Sequence, residues 1–253
     1  MLDSNTDKEW EKFGKDDPYF GVITDDRYRK ENLTDEGKEA FFESGINYID
    51  ELLKKIRQRI DPAFTIRRAL DYGCGVGRLL IPLAGVAEEV TGVDVSESML
   101  KEVKKNCEAS SARNVVLAKT DDSLSLLKGK YDFIHSFIVF QHIPVTRGER
   151  IFEKLVAHLA DEGVCVVHFT YASDHKNKKL VAYVKRYVPF SGNFYNWLQG
   201  RKFFAPRMQM NAYNLNHLFL TIQKAEVRCC YVEFTDHGGE LGIVVYFKKN
   251  KMA

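Results

Sequence analysis

The stretch Ala69-Leu70-Asp71-Tyr72-Gly73-Cys74-Gly75-Val76-Gly77 leaves few folds open to the rest of the chain. An apolar run ends in an acid and passes into a loop with glycine at every second position. Glycine turns the backbone through positive φ and lets a ligand approach where a Cβ would stand. An apolar helical stretch follows, so the loop lies between a strand and a helix N-terminus. A second segment, Thr91-Gly92-Val93-Asp94, ends another strand on a carboxylate placed to accept hydrogen bonds from a ribose diol. Together the two segments describe a pocket for a nucleoside-bearing cofactor.

Glycine spacing narrows the choice. A dinucleotide fingerprint reads G-x-G-x-x-G and seats a pyrophosphate on the helix N-terminus. Here the loop reads G-x-G-x-G, and Asp71 stands two residues before it. A carboxylate at that place suits a cationic amino group or a sulfonium better than an anion.

The surrounding pattern alternates strand and helix. Strands are expected at about residues 67–72, 89–94, 114–119, 131–137 and 164–170, with helices between them. Ser96 reads as an N-cap with Glu97 in the first turn, and Asp121 to Leu127 as a turn or short helix. Such repeated units argue a parallel sheet with helices on both faces. Residues 213–224 predict another helix, and 227–234 and 242–247 a closing hairpin whose last strand runs antiparallel. Ahead of the alternation, Phe41, Phe42, Ile46, Ile49, Leu52, Leu53 and Ile56 recur at helical spacing and predict an amphipathic helix over 35–59. Residues 1–60 are therefore expected as an N-terminal helical cap. Residues 61–253 form the core, with a basic, aromatic insertion at 171–212.

A length of 253 residues suits one domain with a sizeable insertion. The net charge of +2 is too near neutrality to point to nucleic acid. Five cysteines without a C-x-x-C pair suggest reduced, buried thiols and a cytoplasmic location. The N-terminus is polar rather than a signal peptide, and no apolar run approaches the ~20 residues of a spanning helix.

The D-x-G-x-G-x-G pattern with the later Asp94 resembles motifs I and II of the class I S-adenosylmethionine-dependent methyltransferases. Tyr131-Asp132-Phe133-Ile134-His135-Ser136-Phe137, followed by Ile138-Val139-Phe140-Gln141-His142-Ile143-Pro144, resembles motif IV and its loop. The form is that of bacterial members acting on small molecules. The resemblance covers roughly residues 65–170 by motif and 213–248 by order of elements. It implies a Rossmann-like, seven-stranded, mostly parallel sheet with an antiparallel last strand, and S-adenosyl-L-methionine as cofactor.

Carried over, it assigns Asp71, Gly73, Cys74, Gly75 and Gly77 to the methionine end of the cofactor and Asp94 to the ribose. Val95 and Met99 are expected against adenine, and Thr120, Asp121 or Asp122 at its amino group, with Asp121 favoured. Ser136, Phe137 and Gln141 are expected beside the cofactor. His142 is expected either as a general base for a hydroxyl acceptor or as a hydrogen-bonding cap on the pocket. His135 reads as structural, and His168 as a weaker pocket candidate. No metal spacing is apparent.

Lys176, Lys178, Lys179, Lys185, Arg186, Arg201, Lys202 and Arg207, interleaved with aromatics including Tyr195, suggest an anionic or sugar-linked acceptor. Tyr19, Tyr28 and Tyr195 are expected near it. Residues 178–188 form an amphipathic pattern that packs on the sheet or lies weakly on a membrane surface. Oxygen is favoured over nitrogen as the receiving atom. The alternatives are an RNA or protein methyltransferase, or a non-catalytic cofactor-binding module. The run Ser136-Phe137-Ile138-Val139-Phe140 replaces the Asn/Asp-Pro-Pro-Tyr motif of enzymes that methylate adenine or glutamine amides, and nucleic acid is disfavoured.

Overall fold

A computed structural model gives the structure of the protein and describes residues 6–174 and 208–251. The sheet has seven strands in the order β3-β2-β1-β4-β5-β7-β6. These are β1 (Ile66–Tyr72), β2 (Ala87–Asp94), β3 (Val115–Lys119), β4 (Tyr131–Ser136), β5 (Leu159–Ser173), β6 (Cys230–Asp236) and β7 (Glu240–Lys248). Strands β1 to β5 pair in parallel, and β7 runs antiparallel to both β5 and β6. Chain order reverses between the neighbours β1 and β4, and a crevice opens at their carboxyl ends.

Helices cover both faces, as an apolar parallel sheet requires. On one face lie α3 (Asp35–Arg59), α4 (Leu80–Ala84) and α5 (Glu97–Ala109). Ile49, Leu52, Leu53 and Ile56 of α3 share a cluster with Ile66 and Ala69 of β1, Leu80 and Val90. The helix predicted at 35–59 is thus built into the core layer. The other face is closed by α6 (Val145–Ala157) and the last described helix, α7 (Leu215–Lys224). Phe152, Leu155 and Leu218 meet Ile134, Phe169 and Phe247 there.

Two further helices, α1 (Thr6–Asp16) and α2 (Pro18–Val22), cross the carboxyl end of the sheet. Phe13, Tyr19, Tyr28 and Phe41 bury one another with Val76 and Met99. Ser96 caps α5 by accepting from the Met99 N–H at 3.1 Å. Glu11 of α1 reaches the same helix start, accepting from Ser96 Oγ at 2.8 Å, the Ser98 N–H at 3.1 Å and Ser98 Oγ at 2.8 Å. Burial acts against its charge. Those bonds nonetheless hold its carboxyl at about 2, at the positive end of a helix.

The strands differ from expectation in two places. β5 starts early because Leu159 already pairs with Tyr131, and the chain then bulges before Val164 meets Phe133. β6 starts late, since Val227 is buried in the cluster beneath α7 rather than paired in the sheet. Cys74, Cys107 and Cys165 are buried free thiols, whereas Cys229 and Cys230, expected to be buried, are exposed. Among the described residues no helix is long and apolar enough to cross a membrane.

Candidate active site

A cavity of about 400 Å³ lies in the crevice at the carboxyl ends of β1, β2 and β4, with α1 along one wall. Its floor is the glycine loop. Gly73 and Gly75 hold φ of +79° and +52°, which L side chains rarely adopt. Space forbids a side chain as well: a Cβ on Gly73 would stand 2.4 Å from Val139 Cγ2, and one on Gly75 2.8 Å from Val22 Cγ2. The loop therefore lies in contact with both the segment after β4 and the N-terminal helices.

Two buried carboxylates face this floor. Asp94 Oδ2 accepts the Gly75 N–H at 3.0 Å, and its Oδ1 accepts the Ser96 N–H at 2.8 Å. Each oxygen keeps a lone pair, enough to receive the two hydroxyls of a ribose. Burial pushes the Asp94 carboxyl up to about 6, against the pull of those backbone bonds, so it is mostly ionised at neutral pH. Asp71 Oδ1 lies 3.0 Å from His135 Nδ1, and His135 Nε2 lies 3.2 Å from Tyr48 Oη. A neutral imidazole satisfies both contacts, donating from Nδ1 to Asp71 and accepting from Tyr48 at Nε2. His135, read from sequence as structural, thus fixes the orientation of Asp71.

At the other end of the cavity the chain after β4 forms a 3-10 turn, Phe140–His142. His142 Nδ1 is 2.7 Å from the Gln209 carbonyl, so that nitrogen carries the proton. His142 Nε2 is left as an acceptor, 3.2 Å from Gln141 Nε2. Gln141 is itself oriented, because its Oε1 accepts from Thr170 Oγ1 at 2.8 Å. Burial depresses the His142 imidazole to about 4, so it is neutral at physiological pH. Trp10 covers the ring at 5.0 Å, and Thr6 Oγ1 donates to the His142 carbonyl at 2.9 Å. The wall is pinned by Arg147, which makes paired bonds to Asp7 at 2.7 and 2.9 Å and meets Asp122 at 2.7 Å.

Of the residues read from sequence, Asp71, Gly73, Cys74, Gly75, Asp94, Val95, Met99, Thr120, Phe137, Gln141 and His142 line the cavity. Others lie elsewhere. Gly77 sits behind the loop and donates its N–H to the Cys74 carbonyl at 2.9 Å. Ser136 donates to the Tyr72 carbonyl at 3.0 Å and ties β4 to β1. Asp121 points away from the cavity: its carboxylate accepts from the amides and hydroxyls of Ser123 and Ser125, which hold it well below the usual range. Asp122 pairs with Arg147 outside the cavity lining.

Tyr19 and Tyr28 do not reach the ligand space either. Tyr19 donates toward Glu102 and Asn106, and Tyr28 packs edge-on to Phe41. Both supply the buried contacts that hold the N-terminal helices down. His168 is buried behind the cavity with Nε2 3.0 Å from Thr235 Oγ1. Tyr195 and the basic residues from Lys176 to Arg207, with the amphipathic stretch 178–188, lie outside the described residues. Immediately after them, Met208 and Met210 line the cavity, and the Asn211 N–H donates to the Gln141 carbonyl at 2.7 Å.

Sequence reasoning missed Asp7, Trp10, Arg78, Arg147 and His237, all in the cavity wall. Two carried a signal. Arg78 directly follows the glycine loop, and His237 lies in a turn that the topology returns to the same sheet edge. Asp7, Trp10 and Arg147 carried none, because their contacts span distant parts of the chain. Among the described residues, no group of three or more His, Cys, Asp and Glu could hold a metal ion.

Residues 69–163 match a family described as a methyltransferase domain. Magnesium-protoporphyrin O-methyltransferase of Synechocystis is 36% identical over 91 residues, which cover 36% of this chain and 39% of that protein. The chain spans between about a third and two thirds of the length of the first curated relatives it matches. The fold resembles crystal structures of magnesium protoporphyrin IX methyltransferase from Synechocystis with bound S-adenosylhomocysteine and of N-methyltransferase NodS from Bradyrhizobium japonicum with the same compound. The first has a TM-score of 0.60 at 17% identity and covers 92% of this chain and 98% of that one. The second has a TM-score of 0.58 at 14% identity and covers 98% and 100%. The glycine floor, the carboxylate ending β2 and the strand order go with a methyltransferase fold, and residues 69–163 are similar to a methyltransferase domain.

Proposed function

We propose that the chain transfers the methyl group of S-adenosylmethionine to a small acceptor whose receiving oxygen is already ionised, such as a carboxylate. The observation that carries this reading is the state of His142. An acceptor hydroxyl of ordinary acidity needs a base whose pKa lies near the working pH. His142 titrates at about 4, and its one free nitrogen already faces Gln141. It is a poor proton remover and a well-fixed hydrogen-bonding group. An acceptor that arrives ionised needs no base.

When bound, the cofactor supplies an activated methyl group on a sulfonium. The residues do the rest. Asp94 and Asp71 fix the two ends of the cofactor, while Gly73 and Gly75 let it lie on the backbone. Gln141 borders the acceptor space and its second amide N–H orients the incoming oxygen, His142 holds Gln141 in place by accepting its other N–H, and Trp10 and Val139 help exclude water. Alignment of this kind supplies much of the rate. The modest volume of about 400 Å³ and the α1 wall favour a small molecule over nucleic acid or protein. The magnesium-protoporphyrin and ubiquinone O-methyltransferases among the relatives support oxygen as the receiving atom.

The test is formation of S-adenosylhomocysteine by the purified chain over a panel of small carboxylates, phenols and amines. Turnover is expected with a carboxylate, and kcat at saturating cofactor is expected to be flat from about pH 7 to 9, because His142 does not titrate there. His142→Ala should lower kcat by about 10- to 100-fold, while leaving affinity for S-adenosylhomocysteine unchanged. A rate limb near pH 7 that disappears in the variant would instead identify His142 as a base. Turnover with RNA or protein alone would overturn the proposal.

A further inference from the structure

His168 keeps a buried nitrogen without a hydrogen-bond partner. The residue is fully buried on β5, and its Nδ1 is unpaired. Val164 and Val166 lie on the same face of the strand, so packing alone would be served by another apolar side chain. A buried polar atom left unpaired is costly and calls for a reason. The other nitrogen is closely housed. Nε2 lies 3.0 Å from Thr235 Oγ1 on β6. A Cβ on Gly242 of β7 would stand 2.6 Å from each of these two atoms. Glycine weakens a strand interior, so its presence here keeps room for the pair. Burial depresses the His168 imidazole to about 3, and it is neutral at physiological pH.

Two rings of the cavity wall stand against this imidazole. Phe137 lies 5.4 Å from it and His237 5.2 Å, centre to centre, both edge-on. Phe137 and His237 are themselves 6.0 Å apart and nearly perpendicular, at 81°. Their corner suits a flat apolar ring, which stacks on one and meets the edge of the other. His168 backs that corner, and Gln141, which orients the reacting oxygen, lies in the wall of the same cavity. The imidazole sets the chemistry of the group it receives. With Nε2 engaged by Thr235, Nδ1 donates or accepts according to tautomer, and a hydroxyl answers either. A charged group would be buried against a neutral imidazole without a counter-ion. Resting on the carboxylate reading above, we propose that the acceptor is a hydroxylated aromatic acid, with its ring in the corner of Phe137 and His237 and its hydroxyl on His168 Nδ1. The hydroxyl serves recognition only. The methyl goes to the carboxylate oxygen, whose electron pair forms the new bond to carbon, while the carbon–sulfur pair leaves with sulfur and no proton moves.

The test separates the hydroxyl from the ring and the ring from the carboxylate. Methyl transfer would be measured with benzoate, its monohydroxy isomers and cyclohexanecarboxylate on wild type, His168→Asn and His168→Gln. Asparagine keeps a polar group near the Nδ1 position, whereas glutamine keeps one near Nε2 and its Thr235 contact. Wild type is expected to favour one hydroxybenzoate over benzoate by about 10- to 100-fold in kcat/KM, the factor for a buried group that loses its hydrogen-bond partner. Cyclohexanecarboxylate, which is not flat, should be poorer than benzoate. His168→Asn should retain most of the hydroxyl preference and His168→Gln should lose it, with affinity for S-adenosylhomocysteine unchanged in both. A preference that survives in His168→Gln, or that both variants lose equally, would overturn the inference. Should the variants fail to fold, wild type still decides. No hydroxybenzoate better than benzoate, or turnover of aliphatic acids alone, contradicts the inference while leaving the carboxylate reading intact. Turnover of no carboxylate at all contradicts that reading, and this inference with it.

Discussion

Asp94→Ala is expected to weaken binding of S-adenosylhomocysteine by about 100-fold or more, because two hydrogen bonds to a charged group are lost and each contributes about 1.5–3 kcal/mol. Isothermal titration calorimetry reads this directly. The same carboxylate sets a pH dependence. Only its ionised form accepts two hydroxyls, so wild-type affinity should fall as pH drops through about 6. Stability moves the other way. The folded-state value lies above the ordinary 3.8, so the folded chain binds the extra proton between the two. Stability from the protonated form is complete below the lower value and is lost as pH rises through the upper one. Ionised Asp94 therefore works against folding at pH 8, and the unliganded Asp94→Ala protein should remain folded there. Wild-type affinity in the variant, or affinity flat from pH 5 to 8, would refute the role given to this residue.

Gly45→Ala should lower the melting temperature despite improving helix propensity. Gly45 lies inside α3, where alanine is favoured by about 1 kcal/mol on propensity alone. Its Cβ would stand 2.0 Å from the Arg78 carbonyl oxygen and 2.9 Å from the carbonyl carbon. Both are backbone atoms of the segment that follows the glycine loop, so relief requires α3 or that segment to move. Overpacking of this severity costs up to about 3 kcal/mol or more, which outweighs the propensity gain. A net loss of about 2 kcal/mol corresponds to roughly 4–8 °C in a chain of this size. Affinity for S-adenosylhomocysteine should fall too, because the segment that must move adjoins the glycine loop. Gly37→Ala is the control on the same helix. Its Cβ would meet nothing closer than Thr34 Oγ1 at 3.4 Å, so its melting temperature should hold or rise. If both variants melted higher, the close approach of α3 to residue 78 would be wrong.

Local signals carried most of the fold. The apolar runs at β1, β2 and β4, the N-cap at Ser96 and the glycine loop each declare themselves within a few residues, and α3 matches its expected span of 35–59. The ends of β5 and β6 did not, because a bulge at residues 161–163 and burial of Val227 beneath α7 depend on partners far along the chain. The cavity floor was legible for the same reason as the strands, since Asp71, Gly73, Gly75 and Asp94 stand at the ends of predictable elements. The acidic pair after β3 was not, because Asp121 turns back on Ser123 and Ser125 while Asp122 is drawn out by Arg147. Tyr19 and Tyr28 misled in another way. An aromatic residue in an N-terminal segment reads alike whether it faces a ligand or packs a helix, and only the contacts with Asn106 and Phe41 decide.

A crystal structure of the chain soaked with S-adenosylhomocysteine tests the account most directly. Ribose hydroxyls are expected within hydrogen-bond distance of both Asp94 oxygens, with the chain of the amino acid lying over Gly73 and Gly75 and the sulfur directed toward the space between His142 and Met210. Density for the compound elsewhere, or a cavity that stays empty at saturating concentration while the protein remains folded, would contradict it.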